Sequence, residues 1–223
     1  MINIVVPTTF DPTLTYGLLD SMKKFNMGAE YNVTVVDNGS DPIFDYKDDK
    51  VTIIRNDQRL SFAKAMNIGI AATTDEYVLL LNNDTLIQHD NFLGNLLIAI
   101  ESKPKVGIVS AMTNFICIDQ ARCANKENLP KKIINHNGHI AFVCPMFKRS
   151  TLNDIGLFDE NFKTGAFEDG DMSERILRAG YEILIDGNSF IFHYGSKTVS
   201  QVPEYGKHFG ENHAYYNKKW EIK

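Results

Sequence analysis

Four short polar segments follow apolar runs in this chain, and each carries a side chain that could do chemistry. Asp84 ends the stretch Leu79-Leu80-Leu81-Asn82-Asn83-Asp84-Thr85. A carboxylate held at the end of a central apolar strand is costly unless something charged meets it. A hard divalent cation with oxygen ligands, bridging the carboxylate to a diphosphate, is one such partner; the plainer alternative is a cap for a following helix. The stretch Gly165-Ala166-Phe167-Glu168-Asp169-Gly170-Asp171 places three carboxylates ahead of a helical segment that carries Arg175 and Arg178. The helix dipole alone favours acidic residues there, yet one carboxylate is what an acceptor hydroxyl needs as general base. The residues themselves do not choose among the three.

Val35-Val36-Asp37-Asn38-Gly39-Ser40 ends another apolar run in an acceptor and a tight turn. It reads either as a strand-ending Asx turn or as a base pocket, with Asp37 accepting from a pyrimidine imide and Pro7 and Thr8 shaping the opposite wall. His193, in His193-Tyr194-Gly195-Ser196, follows Phe190-Ile191-Phe192 and could be a ligand or a satisfied structural imidazole.

The elements that must position these groups follow from periodicity. Short β-branched runs alternate with amphipathic stretches in the first half, the pattern of an open, largely parallel sheet with helices on its faces. Strands are expected at Ile2 to Val6, Val33 to Val36, Val51 to Ile54, Tyr77 to Leu81 and Val106 to Ser110. Helices are expected after Asp11-Pro12, over about Ser61 to Ala72 and over about Asn91 to Glu101. The alternation then stops, and residues 113–138 read as a connection without clear period. Beyond it come a strand at Ile140 to Phe147, a helix at Met172 to Ala179, short strands at Glu182 to Ile185 and Phe190 to His193, and a terminal helix or arm from Glu204 to Trp220. Ligands bind outside the carboxyl ends of the strands in such a sheet, so the polar segments should gather on one edge.

At 223 residues, with 43% apolar and 23% charged residues, the chain is the size and composition of one globular α/β domain. A net charge of −5 argues against a nucleic-acid backbone as main partner, since that needs concentrated basic surface. Cys117, Cys123 and Cys144 form neither a paired secreted framework nor a zinc pattern. The chain opens directly into Ile2-Asn3-Ile4-Val5-Val6, and no apolar run approaches the ~20 residues that span a bilayer. The expectation is a cytoplasmic protein, with at most a peripheral place at the inner face of a membrane.

Taken in order, the motifs resemble glycosyltransferase family 2, whose nucleotide-sugar transferase fold is called GT-A. The resemblance is carried by Ile4-Val5-Val6-Pro7-Thr8, Val36-Asp37-Asn38-Gly39-Ser40, Asn56 with Ser61-Phe62-Ala63-Lys64-Ala65-Met66-Asn67-Ile68-Gly69-Ile70, and Leu80-Leu81-Asn82-Asn83-Asp84-Thr85. Gly156-Leu157-Phe158-Asp159-Glu160, Phe167-Glu168-Asp169-Gly170-Asp171 and His193-Tyr194-Gly195-Ser196 continue it over almost the whole chain. It implies a single α/β domain over 1–223, Rossmann-like with a central, mostly parallel sheet flanked by helices. Residues 1–110 would form the nucleotide-sugar-binding half, and 111–223 the acceptor-side half and C-terminal arm.

The resemblance assigns Pro7, Thr8, Asp37, Asn38, Asn56, Arg59, Asn67, Asn82 and Asn83 to the nucleotide sugar and Asp84, with His193, to a Mn²⁺ or Mg²⁺ ion. Asp169 becomes the catalytic base, with Glu168 organising the site. Asn82 stands where the family's D-x-D motif often has its first Asp, which leaves Asp84 as the sole carboxylate of that motif. The implied reaction is a single in-line displacement with inversion, from a UDP- or dTDP-sugar to a hydroxyl of a glycan, lipid-linked or other acceptor, in glycan or polysaccharide synthesis. The Ile140 to Phe147 strand and the Asp154 to Asp159 turn would line the sugar and acceptor side. Two other classes stay open: a nucleotidyltransferase, although Pro7-Thr8-Thr9-Phe10-Asp11 lacks a glycine- and basic-rich phosphate loop, and a non-catalytic sugar-nucleotide or glycan-binding module.

Overall fold

The computed structural model describes residues 1–114, 126–136, 138–195, 197 and 201–222. Cys117, Cys123 and Ser196 therefore lie outside the described residues, as does much of the 113–138 connection.

Among the described residues, one nine-stranded sheet forms the centre. Its first half is built from β1 (Ile2–Phe10), β2 (Tyr31–Ser40), β3 (Val51–Asn56) and β4 (Tyr77–Leu80). They lie in the order β3-β2-β1-β4 and are all parallel. The crossovers carry α1 (Thr13–Lys23) between β1 and β2 and α2 (Phe62–Ala71) between β3 and β4. Side-chain alternation sorts the two faces. Ile4 and Val6 of β1 meet Leu18 and Met22 of α1 and Phe92 and Leu96 of α3 (Phe92–Ile100), while Val5 meets Met66 and Ile70 of α2.

Gly69 lets α2 seat closely, because a Cβ there would come within 2.3 Å of Val5 Cγ1 and 2.9 Å of Val36 Cγ2. Gly69→Ala is therefore expected to destabilise by about 1–3 kcal/mol through overpacking, read as a lower midpoint in thermal denaturation. An unchanged midpoint would mean that the sheet yields freely at this contact.

The second half is mixed. β6 (Val106–Thr113) pairs in parallel with β9 (Glu182–His193), and β8 (Pro145–Lys148) runs antiparallel between β4 and β6. β5 (Thr85–Ile87) and β7 (Ile133–His136) pair antiparallel with β9. The boundary expected at residue 110 falls inside β6. α4 (Arg149–Ile155), α5 (Glu168–Arg178) and α6 (Tyr205–Trp220) complete the described elements of regular structure beyond a single 3₁₀ turn.

Three expectations are corrected here. Ile140 to Phe147 is not one strand: residues 140–144 are irregular and only Pro145 onward pairs. Ile140, Phe142 and Cys144 are nonetheless buried, and an apolar run reports burial before it reports conformation. The two short strands at 182–185 and 190–193 are one continuous β9, and α5 begins at Glu168, four residues before the expected Met172.

Candidate active site

The carboxyl ends of β1, β2 and β4, together with the end of β9, open onto one cavity of about 320 Å³. Pro7, Thr8, Asn38, Asn82, Asn83, Asp84 and His193 line one side of it. Phe62 and Ala65 of α2, the irregular segment Ala141 to Val143, the loop Thr164 to Ala166, and Glu168 and Asp169 line the rest, with Val202 and Tyr205 at the C-terminal side. Arg59 sits over the Phe10 ring at 5.2 Å and also lines the cavity.

Asp84 is followed by β5 rather than by a helix, so the capping alternative falls away. Thr85 of β5 stands opposite His193 of β9 in register. This pairing brings His193 Nε2 to 3.1 Å from Asp84 Oδ1, both side chains nearly buried. Asn114 fixes the histidine from behind: it accepts from the His193 N–H at 2.7 Å and donates to the His193 carbonyl at 3.1 Å. A chain of buried hydrogen bonds ties the neighbouring loop to the first strand, from Asn83 Nδ2 to Thr15 Oγ1 (3.2 Å) and on from Thr15 to Thr8 Oγ1 (2.6 Å).

Asp84 and His193 offer one carboxylate and one imidazole at the cavity wall. Among the described residues, no group of three or more His, Cys, Asp or Glu gathers as a closed metal cage. Two protein donors suit a cation such as Mg²⁺, which keeps waters and takes ligands from substrate phosphates rather than from an all-protein cage.

Three residues expected at the nucleotide do not line the cavity: Asp37, Asn56 and Asn67. Asp37 is fully buried and accepts from the Ser40 N–H at 2.9 Å, from the Phe44 N–H at 3.3 Å and from the Arg55 guanidinium. Burial works to raise its pKa, but the hydrogen bonds from Ser40 and Arg55 outweigh it and hold the carboxyl below the usual range. Asn56 donates to Asn38 Oδ1 at 3.3 Å, and Asn38 in turn pins the 57–60 loop through the Leu60 N–H and carbonyl, at 2.9 and 3.0 Å. Asn67 spends both amide atoms on the Phe158–Glu160 segment, each contact at 2.9 Å. The Asp154 to Asp159 turn also lies away from the cavity; Asp159 is held by Tyr215 (2.9 Å) and Lys219 (2.6 Å) of α6.

The three carboxylates at the start of α5 separate cleanly. Asp171 is fully buried and paired with Arg175 at 3.0 Å and Lys219 at 2.7 Å, with the Trp220 indole N–H donating at 3.1 Å. Glu168 and Asp169 line the cavity. Among the described residues, the buried Glu168 Oε2 has no hydrogen-bond partner. Burial, then the Asp169 charge, pushes the Glu168 carboxyl up to about 8. Burial also raises Asp169, against the Gly170 N–H that donates to it at 2.7 Å and the nearby His139.

A carboxyl whose pKa is higher folded than unfolded contributes its stability at low pH and loses it as the pH rises through the folded value. Glu168→Gln is therefore expected to match the wild type in thermal midpoint near pH 4 and to exceed it increasingly up to about pH 8. A constant difference across that range would contradict a buried, reluctant acid.

The loop that delivers this pair is strained. Thr164, Ala166 and Phe167 have φ of 54°, 111° and 71°, the half of the map that non-glycine residues avoid, at about 1–3 kcal/mol each. Such backbone persists only where its surroundings over-determine it.

Comparison with known proteins places this geometry. The profile of glycosyl transferase family 2 matches residues 3–155. The chain is 21% identical, over 99% of its length, to the uncharacterized protein y4gI of Sinorhizobium fredii (strain NBRC 101917 / NGR234), of which it spans 27%. Among solved structures it is similar to GalNAc-T7 crystallised with UDP, GalNAc and Mn²⁺, at a TM-score of 0.67 and 13% identity, covering 97% of this chain and 50% of that one. It is also similar to the mannosyltransferase PcManGT from Pyrobaculum calidifontis in complex with GDP-Man and Mn²⁺, at a TM-score of 0.64 and 18% identity, over 97% of this chain and 69% of that one. The S. aureus TarS 1–349 structure follows at a TM-score of 0.63 and 14% identity, over 98% of this chain and 73% of its own. At these identities the structural likeness speaks for the fold, a GT-A glycosyltransferase fold, and the profile match over residues 3–155 speaks for descent: the chain belongs to glycosyl transferase family 2.

Proposed function

We propose that this protein is an inverting, metal-dependent glycosyltransferase that moves a sugar from a UDP- or dTDP-linked donor to an acceptor hydroxyl on a glycan or lipid-linked oligosaccharide. The observation that carries the reading is that the Asp84–His193 pair and the Glu168–Asp169 pair line one cavity at the carboxyl ends of the strands. Asp84 and His193 would hold Mn²⁺ or Mg²⁺. When bound, the cation neutralises charge on the departing nucleoside diphosphate.

The chain's own residues do the rest. Pro7, Thr8, Asn38, Asn82 and Asn83 receive the nucleoside, with Arg59 at the rim toward the phosphates. Asp37, Asn56 and Asn67 act one layer back, by fixing the turn and loops that carry those residues. Asp169 takes the proton from the acceptor hydroxyl as its oxygen bonds to the anomeric carbon and the bond to the diphosphate breaks on the opposite face. One displacement without a sugar–enzyme bond inverts the anomeric centre. Glu168, whose carboxyl is pushed up by burial and then by the Asp169 charge, would keep its proton and so add no second negative charge beside the base.

Thermal protection tests the binding half of this reading. With Mn²⁺ present, UDP or dTDP at about 100 times its Kd should add about 2.7 kcal/mol of stability, seen as a raised midpoint that chelation removes. Absence of protection by UDP, dTDP and GDP alike would remove the nucleotide site.

A further inference from the structure

We infer that Asn212, on the C-terminal helix α6, is a positioning residue for sugar transfer, acting through the 163–166 loop that walls the cavity and leads into Glu168 and Asp169. The inference rests on the function proposed above, and it concerns a residue beyond the stretch matched by the family profile.

Asn212 is 1% exposed. Its Oδ1 accepts from the Lys163 N–H at 2.9 Å, and its Nδ2 donates to the Lys163 carbonyl at 2.8 Å and to the Ala166 carbonyl at 3.1 Å. Both N–H donors of the amide and one lone pair of its oxygen are thus committed to one loop. Docking α6 does not require this. The helix is already fastened by Lys219 and Tyr215 to Asp159 and by Lys219 to Asp171. What the amide grips instead is the backbone whose Thr164, Ala166 and Phe167 lie at positive φ, a shape that requires outside restraint. The same helix holds the Phe167 ring, at 5.1 Å from Phe209 and 5.2 Å from His213. Thr164, Gly165 and Ala166 line the cavity, so a loop released at Lys163 and Ala166 shifts both the wall and the approach of Asp169 to its proton. The nucleoside side of the cavity is built from β1, β2 and β4, whereas Asn212 bonds to the 163–166 loop, which meets that side through the Thr164 carbonyl accepting from the Phe62 N–H at 2.7 Å.

The test compares wild type, Asn212→Ala, Asn212→Ser and Tyr215→Phe. Tyr215→Phe loosens the same helix at Asp159 and Asn161 while keeping its ring against Phe162 and leaving the Asn212 bonds to Lys163 and Ala166 in place, so it reports the cost of weaker docking. Asn212→Ala is expected to lower kcat for nucleoside diphosphate release by about 10–100-fold, the scale on which misplacement by an ångström acts. Its UDP or dTDP affinity should stay within about twofold, and the Lys163 amide should exchange with deuterium about tenfold faster or more. Tyr215→Phe should keep kcat within about twofold whatever its thermal midpoint. The inference is overturned if Asn212→Ala keeps wild-type kcat, if Lys163 exchange is unchanged, or if Tyr215→Phe loses kcat in step with its stability. Should Asn212→Ala not fold, the shorter hydroxyl of Asn212→Ser carries the same comparison, and failure of both to fold would make the residue structural and end the proposal. A wild type that releases no nucleoside diphosphate from any donor would instead remove the functional reading, while Lys163 exchange would still decide whether the amide restrains the loop.

Discussion

Asp169→Asn is expected to lower sugar transfer by about 10²–10⁴-fold, the usual contribution of a general base, while leaving the fold and nucleotide affinity nearly intact. An amide keeps the size of the side chain and can still accept the Gly170 N–H now at 2.7 Å, but it cannot take a proton. The geometry narrows the alternatives to one neighbour. Asp171 is consumed by Arg175, Lys219 and Trp220, so Asp171→Asn should cost stability more than chemistry. Glu168 shares the cavity; burial raises both carboxyls and Glu168 also bears the Asp169 charge, so the pair holds on to a proton, which the proposal places on Glu168. Glu168→Gln should therefore retain more transfer than Asp169→Asn at pH 7. The measurement is transfer rate beside nucleotide affinity for the three variants. A dead Glu168→Gln beside an active Asp169→Asn would exchange the two roles.

The second large effect is expected at Asp84. Asp84→Ala should reduce donor turnover by about 10²–10³-fold, because charge stabilisation of a departing diphosphate by a metal is worth several kcal/mol and each 1.36 kcal/mol is about tenfold. The fold should survive: the Asp84 backbone carbonyl, which accepts from the Tyr194 N–H at 2.9 Å, is untouched by the substitution, and β5 keeps its register with β9. Mn²⁺-dependent protection by UDP should fall with turnover, since His193 alone remains at the wall. Unchanged Mn²⁺ dependence in Asp84→Ala would show that the cation is held elsewhere.

How much of this was legible in the sequence depended on how local the cause was. The ends of β1 and β2 and the approach to Asp84 are apolar runs broken by polar residues, and all deliver cavity-lining groups. The amphipathic spacing of α1, α2 and α3 likewise reports the faces they bury. Asp37 shows where local reading stops. Its partner Arg55 lies on the neighbouring strand at the register position opposite it, and only that pairing reveals a carboxylate already satisfied. Asn67 meets Phe158 from 91 residues away, again a contact without sequence signal. The 140–144 segment was apolar because it is buried, not because it pairs. Asn114 and Asn212 belong to no motif and to no apolar period. Their roles come from a half-buried and a buried amide meeting backbone at 79 and 49 residues' separation, which nothing in composition announces. Residues 169 and 171 do not share a helical face, and Asp169 lines the cavity while Asp171 is buried against Arg175 and Lys219.

The most direct test of the account is release of nucleoside diphosphate from a panel of UDP-, dTDP- and GDP-sugars by the purified protein with Mn²⁺ or Mg²⁺, run beside Asp169→Asn and beside a chelated sample. The account predicts release from at least one UDP- or dTDP-sugar, abolished by chelation and reduced about 10²–10⁴-fold in Asp169→Asn. Release that persists undiminished after exhaustive chelation and in Asp169→Asn, or a complete absence of release across the panel with acceptor glycans supplied, would contradict it.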